Sequence, residues 1–127
     1  MITPDVTVYL PFPNARLNPN QSKGVHWAAT STLRKKAHRD AYYAATAALS
    51  SGKWKPAQGD VVVTITFIQP DRRRRDRDNL LAALKWGLDG VAEAIGVDDS
   101  RFEPVTIRRE YGAKPGSVRI EIFNPAQ

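Results

Sequence analysis

The chain contains no cysteine, only two histidines and a single methionine among 127 residues. The absence of cysteine excludes a disulfide scaffold, a thiol nucleophile and any zinc site built on thiolates. With only His26 and His38 present, a histidine-rich metal centre is also excluded. Any metal is therefore expected to be a hard cation held by carboxylate oxygens. Long apolar runs are missing too. No stretch approaches the ~18 residues that a membrane span needs. The opening MITPDVTVYL has no basic region ahead of an apolar core, so a secretory signal is not expected and a cytoplasmic protein is.

What is present fits one folded domain, expected over residues 1–127. Hydrophobic residues make up 42% of the chain, too many for disorder. A chain of this length buries roughly two thirds of its unfolded surface, enough for a real core. Nineteen Lys+Arg against thirteen Asp+Glu leave a net charge of +6. That balance suits a polyanionic partner but also a merely soluble surface.

The hydrophobic pattern predicts the order β-α-β-α-β-β, an α+β fold with a mixed sheet packed by two helices. Asp5 to Leu10 alternates as a strand. The segment PFPNARLNPNQSKG reads as a long loop. A helix capped by Thr30 or Ser31 is expected to run to about Ser50, with a basic first half. Asp60 to Gln69 is the clearest strand, placing Val61, Val63, Ile65 and Phe67 on one face. Leu80, Leu84, Leu88, Val91 and Ile95 then form one stripe of a helix expected from Asp78 to Ile95. Gly96 stands where a left-handed C-cap belongs. Two strands follow, Phe102 to Tyr111 and Ser117 to Phe123, and GAKPG between them reads as a hairpin loop.

The unusual segment is Asp71-Arg72-Arg73-Arg74-Arg75-Asp76-Arg77-Asp78-Asn79. Five Arg and three Asp fall within the eight residues 71–78, at the junction of a strand and a helix. A strand–helix junction needs one cap and a few polar residues, not four consecutive arginines. On extended backbone Asp76 and Asp78 point to the same side, whereas on a helix they diverge by about 200°. If the helix starts at Asp78, Asp76 is still extended and both carboxylates can converge on one cation; the structural alternative is Asp78 as an N-cap, which needs no metal. A third acid stands at Asp98 or Asp99, beyond a helix of ~27 Å. It meets Asp76 only if the helix breaks early, near Asp89-Gly90. Guanidinium forks bind phosphate, and carboxylates tolerate phosphate only through a bridging cation. Interleaved Arg and Asp is thus a composition suited to metal-dependent phosphodiester hydrolysis.

At these residues the sequence resembles the RusA family of Holliday junction resolvases, crossover junction endodeoxyribonucleases common in phages and prophages. Pro70 through Leu80 follows the family's P-D-R-R-R-R-D-x-D-N-L run. Gly96-Val97-Asp98-Asp99 is similar to its short segment ending in two acids, and Leu10-Pro11-Phe12-Pro13 with Asn14 or Asn18 to its proline/asparagine loop. The resemblance implies a small homodimer that nicks four-way DNA junctions symmetrically with Mg²⁺, Mn²⁺ being a plausible substitute, and that needs no small-molecule cofactor. It places the catalytic, metal-binding carboxylates on Asp76, Asp78 and Asp99, with Asp98 as the neighbouring acid. The family often has a lysine where this chain has Ala82. Lys85, seven residues after Asp78 and within ~20° of the same helical face, is the candidate replacement; the alternative is an exposed lysine pairing with Asp89.

The other candidates follow from charge and shape. Arg72, Arg73, Arg74, Arg75 and Arg77 would hold the DNA backbone. Arg34, Lys35, Lys36 and Arg39 form a basic helical face, and Arg16, Lys23 and His26 lie in the proline loop. Phe12 is a candidate wedge between bases. Trp27 and Trp86 either stack on bases or pack inside. The competing reading of the same residues is a dimeric module that binds branched or single-stranded nucleic acid without cleaving it.

Overall fold

The computed structural model describes residues 3–18, 27–50 and 52–125, apart from the side chains of residues 27–29; Lys23 and His26 lie outside. The chain runs β1 (Val6–Pro11), α1 (Trp27–Ala48), β2 (Val61–Gln69), α2 (Arg77–Ile95), β3 (Phe102–Tyr111) and β4 (Ser117–Phe123). Short 3₁₀ turns occupy Ala15–Leu17 and Asp99–Arg101. This is the expected α+β fold with its two helices and mixed sheet. No helix among the described residues is long and apolar enough to cross a membrane.

The β-branched run of β2 suits the pleated centre of a sheet. Val61, Val63, Ile65 and Phe67 are all fully buried on its inward face. Val6, Val8 and Leu10 of β1 and Val118, Ile120 and Ile122 of β4 extend that face sideways. Ala41 and Ala45 of α1 and Leu80, Leu84, Val91 and Ile95 of α2 close the same cluster from above. Helix α2 thus buries the predicted stripe, with Leu88 only half-buried. It ends at Gly96, whose φ of 74° is the left-handed cap.

Two expectations about chain path are corrected. The GAKPG connector does not make a hairpin. The sheet order is β1-β4-β2-β3, with β3 parallel to β2 and β4 antiparallel on its other side. Residues 112–116 therefore cross the end of β2, and Gly112 donates its N–H to the Gln69 carbonyl at 2.9 Å. Gly116, at φ 82°, has room for no side chain there: a Cβ would lie 2.8 Å from the Ile68 carbonyl oxygen. Helix α1, for its part, starts at Trp27 rather than after a Thr30 or Ser31 cap. Thr30 is buried inside it and accepts a bond from Arg34 at its carbonyl.

Helix α2 is also continuous through Asp89-Gly90, so the early break is absent. Gly90 serves packing instead. It lies against the α1 backbone, where an added Cβ would overlap the His38 carbonyl and approach the Tyr42 nitrogen to 3.0 Å. Gly87 is roomier, with the nearest atom, Leu10 Cδ1, at 3.4 Å. Gly90→Ala should therefore cost about 2 kcal/mol or more through overpacking. Gly87→Ala should be neutral or gain up to about 1 kcal/mol from helix propensity. Urea unfolding of the two variants checks the contrast; equal midpoints would contradict it.

Candidate active site

The site begins where β2 leaves the sheet. Asp71 accepts the Arg73 N–H at 2.9 Å and grips Arg75 through both carboxylate oxygens, at 2.9 and 3.3 Å. The Arg75 guanidinium bond, helped by the Arg73 N–H, holds the Asp71 carboxyl below the usual carboxylate range. Arg75 turns inward, 5.2 Å from the centre of the Phe12 ring and 3.5 Å from the Oε1 of buried Gln69. Arg72 lies 4.4 Å from the centre of the Tyr111 ring. Of the four consecutive arginines only Arg75 is partly buried; Arg72, against Tyr111, is exposed, as are Arg73, Arg74 and the following Arg77.

Asp76 and Asp78 take different backbone states. Asp76 is extended, at φ −75° and ψ 128°, and is the N-cap of α2; its Oδ1 accepts the Asp78 N–H at 2.8 Å. The cap is therefore Asp76, not Asp78, and the helix begins one residue earlier than expected. Asp78 sits in the first turn. Both acids are exposed and line one polar pocket of about 500 Å³ with Arg74, Arg75, Arg77 and Arg109.

Arg109 was missed by sequence reasoning. It lies on β3, paired in register with Phe67, and its Nη1 donates to the Arg75 carbonyl at 3.0 Å. Only the parallel β2–β3 pairing carries it to the Asp76–Asp78 site, and no local sequence signal marks it.

Asp98 and Asp99 part company. Asp98 caps the 3₁₀ turn, accepting the Ser100 N–H at 2.9 Å, and that bond lowers its pKa. Asp99 faces a groove of about 440 Å³ that it shares with Asp78, Ala82, Lys85, Leu88 and Val105. It stands near Asp89, whose pKa is raised by burial and then by the Asp99 charge. Asp89 lies eleven residues after Asp78, or ~16 Å along the helix axis. Asp78 and Asp99 thus occupy opposite ends of the groove, with Lys85 between them. Among the described residues, no three His, Cys, Asp or Glu are grouped to hold a metal.

The remaining candidates are dispersed. Lys85 leans to 5.6 Å from the centre of the Trp86 ring. Lys36 pairs with Asp40 one turn on, and Lys35 is exposed. Arg39 is 3.7 Å from Asp40. Arg16 is exposed in the first 3₁₀ turn. Phe12 does not project as a free wedge. It is half-buried, edge-on to Phe67 at 6.4 Å and beside Arg75.

The fold and site define a class: a small α+β domain with a mixed acidic and guanidinium pocket where a central strand meets a helix. No family model matches the chain. A protein of Xylella fastidiosa, described as uncharacterized, is 41% identical over 118 residues, covering 93% of this chain and 76% of that protein. The chain belongs to the same family as this Xylella protein. A crossover junction endodeoxyribonuclease RusA of Aquifex aeolicus is 37% identical over 59 residues, 46% of each chain. That likeness is partial, and the chain is RusA-like to that extent.

Asp76 carries two separable properties, a cap and a charge. Asp76→Ala should cost about 1 kcal/mol of stability by loss of the cap, while Asp76→Asn, an equally good cap, should cost a few tenths at most. Thermal unfolding of both variants tests this; equal losses would remove the capping role.

Proposed function

We propose that this protein is a Mg²⁺-dependent endodeoxyribonuclease that resolves four-way DNA junctions by paired nicks. The observation that carries the reading is the pocket in which the Asp76 and Asp78 carboxylates face the Arg74, Arg77 and Arg109 guanidinium groups. The partial likeness to RusA supports the choice of junction DNA as substrate.

The donor set fits the metal. Mg²⁺ is commonly held by one or two carboxylates, with waters and substrate phosphate filling the other positions. Asp76 keeps its second oxygen after capping the helix, and Asp78 is exposed beside it. When bound, such an ion lowers the pKa of a water and withdraws charge from a phosphoryl oxygen. The chain's own groups do the rest. Arg74, Arg77 and Arg109 present forks for non-bridging phosphate oxygens, and Arg73 extends that surface along the backbone. Lys85, ~10.5 Å along α2 from Asp78, lines the same groove and offers a cation to the charge that develops on the phosphate.

The homodimer belongs to this reading. Two matched nicks need two sites, which a two-fold dimer supplies.

A cleavage assay on a labelled four-way junction, with linear duplex as control, tests the reading. Cleavage should appear with Mg²⁺, vanish with EDTA, and fall by about 10²-fold or more in Asp78→Asn. Junction binding by Asp78→Asn should persist or tighten, since a negative charge near phosphate is gone. Normal cleavage by this variant would place the chemistry elsewhere. Binding with no cleavage under any divalent ion would identify a non-catalytic module.

For Lys85, Lys85→Ala should lower the single-turnover rate about 10²-fold and Lys85→Arg should recover part of it. Wild-type turnover in the alanine variant would reduce Lys85 to a surface residue.

A further inference from the structure

Beside the groove, on the face shared by α1 and α2, lies a second cluster, of which the proposed cleavage chemistry uses only Lys85. Trp86 is half-buried there. Arg34 of α1 holds its guanidinium carbon 5.1 Å from the centre of the indole, and Lys85 brings its ammonium to 5.6 Å. Arg34, Lys35, His38 and Trp86 line an open depression of about 390 Å³. His38 is occupied by Glu93, at 2.7 Å, so the positive charge lining the depression comes from Arg34 and Lys35, with Lys85 beside the same indole. The Arg34 stem is steadied by its Nε bond to the Thr30 carbonyl at 3.3 Å. Trp54 shows the contrasting, structural use of an indole: its Nε1 donates to the Ile95 carbonyl at 2.8 Å and ties the 52–60 segment to the end of α2.

A half-exposed indole among three cations is matched to a ligand with both a π-face and negative charge. An unpaired nucleobase supplies the face, stacking on the indole or on the planar Arg34 fork, and its flanking phosphates supply the charge. Paired duplex offers the phosphates but keeps its base faces stacked. Position adds to the match. Trp86 is eight residues from Asp78, ~12 Å along α2. That span equals three to four steps at the ~3.4 Å rise of one DNA strand. Lys85 borders both the groove and the Trp86 ring, so the two surfaces are continuous.

We propose that Trp86, with Arg34, Lys35 and Lys85, binds an unpaired DNA base and its neighbouring phosphates a few nucleotides from the cleavage site. This rests on the nuclease reading only for the choice of DNA as the ligand.

The test is fluorescence anisotropy of a short labelled oligo(dT) with the full chain in EDTA. Trp86→Leu should weaken oligo(dT) binding about tenfold or more, while linear duplex affinity changes less than about twofold. Trp86→Phe, which keeps an aromatic face, should bind oligo(dT) within about threefold of wild type yet lose most of the tryptophan quenching that oligo(dT) causes. Arg34→Gln and Lys35→Gln should each lower the salt dependence of log K by about 0.7. Unchanged oligo(dT) affinity in Trp86→Leu, an equal loss on duplex, unchanged quenching in Trp86→Phe, or competition by poly-glutamate as strong as by oligo(dT) would each overturn the site. The two readings fail separately. Junction cleavage by the wild type with unaltered oligo(dT) binding by Trp86→Leu sinks this site alone. Trp86-dependent oligo(dT) binding without Mg²⁺-dependent cleavage sinks the nuclease reading alone.

Discussion

The bond from the Asp78 N–H to the Asp76 carboxylate, 2.8 Å long, sets the geometry on which the rest of the site depends. It joins an extended residue to the first turn of a helix, so one acid closes the helix and leaves its neighbour in the first turn. The residues before it have little freedom, because Asp71 and Arg75 grip one another and Arg75 is bonded in turn to buried Gln69. The helix after it has little freedom either, because Gly90 lies against the α1 backbone. The two carboxylates are therefore presented from a braced junction rather than from a mobile loop, which is what a preorganised charge site requires.

Electrostatics divides the arginine run by role. Residues 71–78 carry five positive and three negative charges, a surplus of only +2. Asp71 neutralises Arg75, and Arg72 is spread over Tyr111. The acids Asp76 and Asp78 then face Arg74, Arg77 and Arg109 in one pocket. Such a pocket attracts phosphate through the guanidinium groups and repels it through the carboxylates. A bridging cation resolves that conflict, which is the physical basis of the metal-dependent reading. The absence of cysteine and the scarcity of histidine agree with a site made of oxygen ligands.

Helix α2 organises more than the acids. Its buried stripe packs on the sheet, its glycines admit α1, and its outer residues Lys85 and Trp86 divide the acidic groove from the basic, aromatic depression. The same close helix contact that makes Gly90 intolerant of a side chain also brings Arg34 over Trp86. The proposed cleavage surface and the proposed base-binding surface are thus two flanks of one helix, held at fixed separation by its rise per residue.

The sequence by itself determined what depends on local periodicity and local chemistry. The alternation of β2, the stripe of α2, the left-handed cap at Gly96 and the last two strands were all legible. So was the Arg–Asp run as a mixed-charge junction between a strand and a helix, which is where it lies in the fold. Each is encoded within a few residues, because side-chain direction repeats every 2.0 or 3.6 residues whatever the rest of the chain does. Only the tertiary structure decided the long-range partners. It inserted β4 between β1 and β2, where the sequence suggested a hairpin. It brought Arg109 to the acids, packed Phe12 edge-on to Phe67, and left Asp99 beside Asp89 at the far end of the groove. These outcomes follow from which strands pair and which backbones approach. Burial of one continuous apolar face chooses among those pairings, and every residue of that face contributes to the choice, so no short segment contains it.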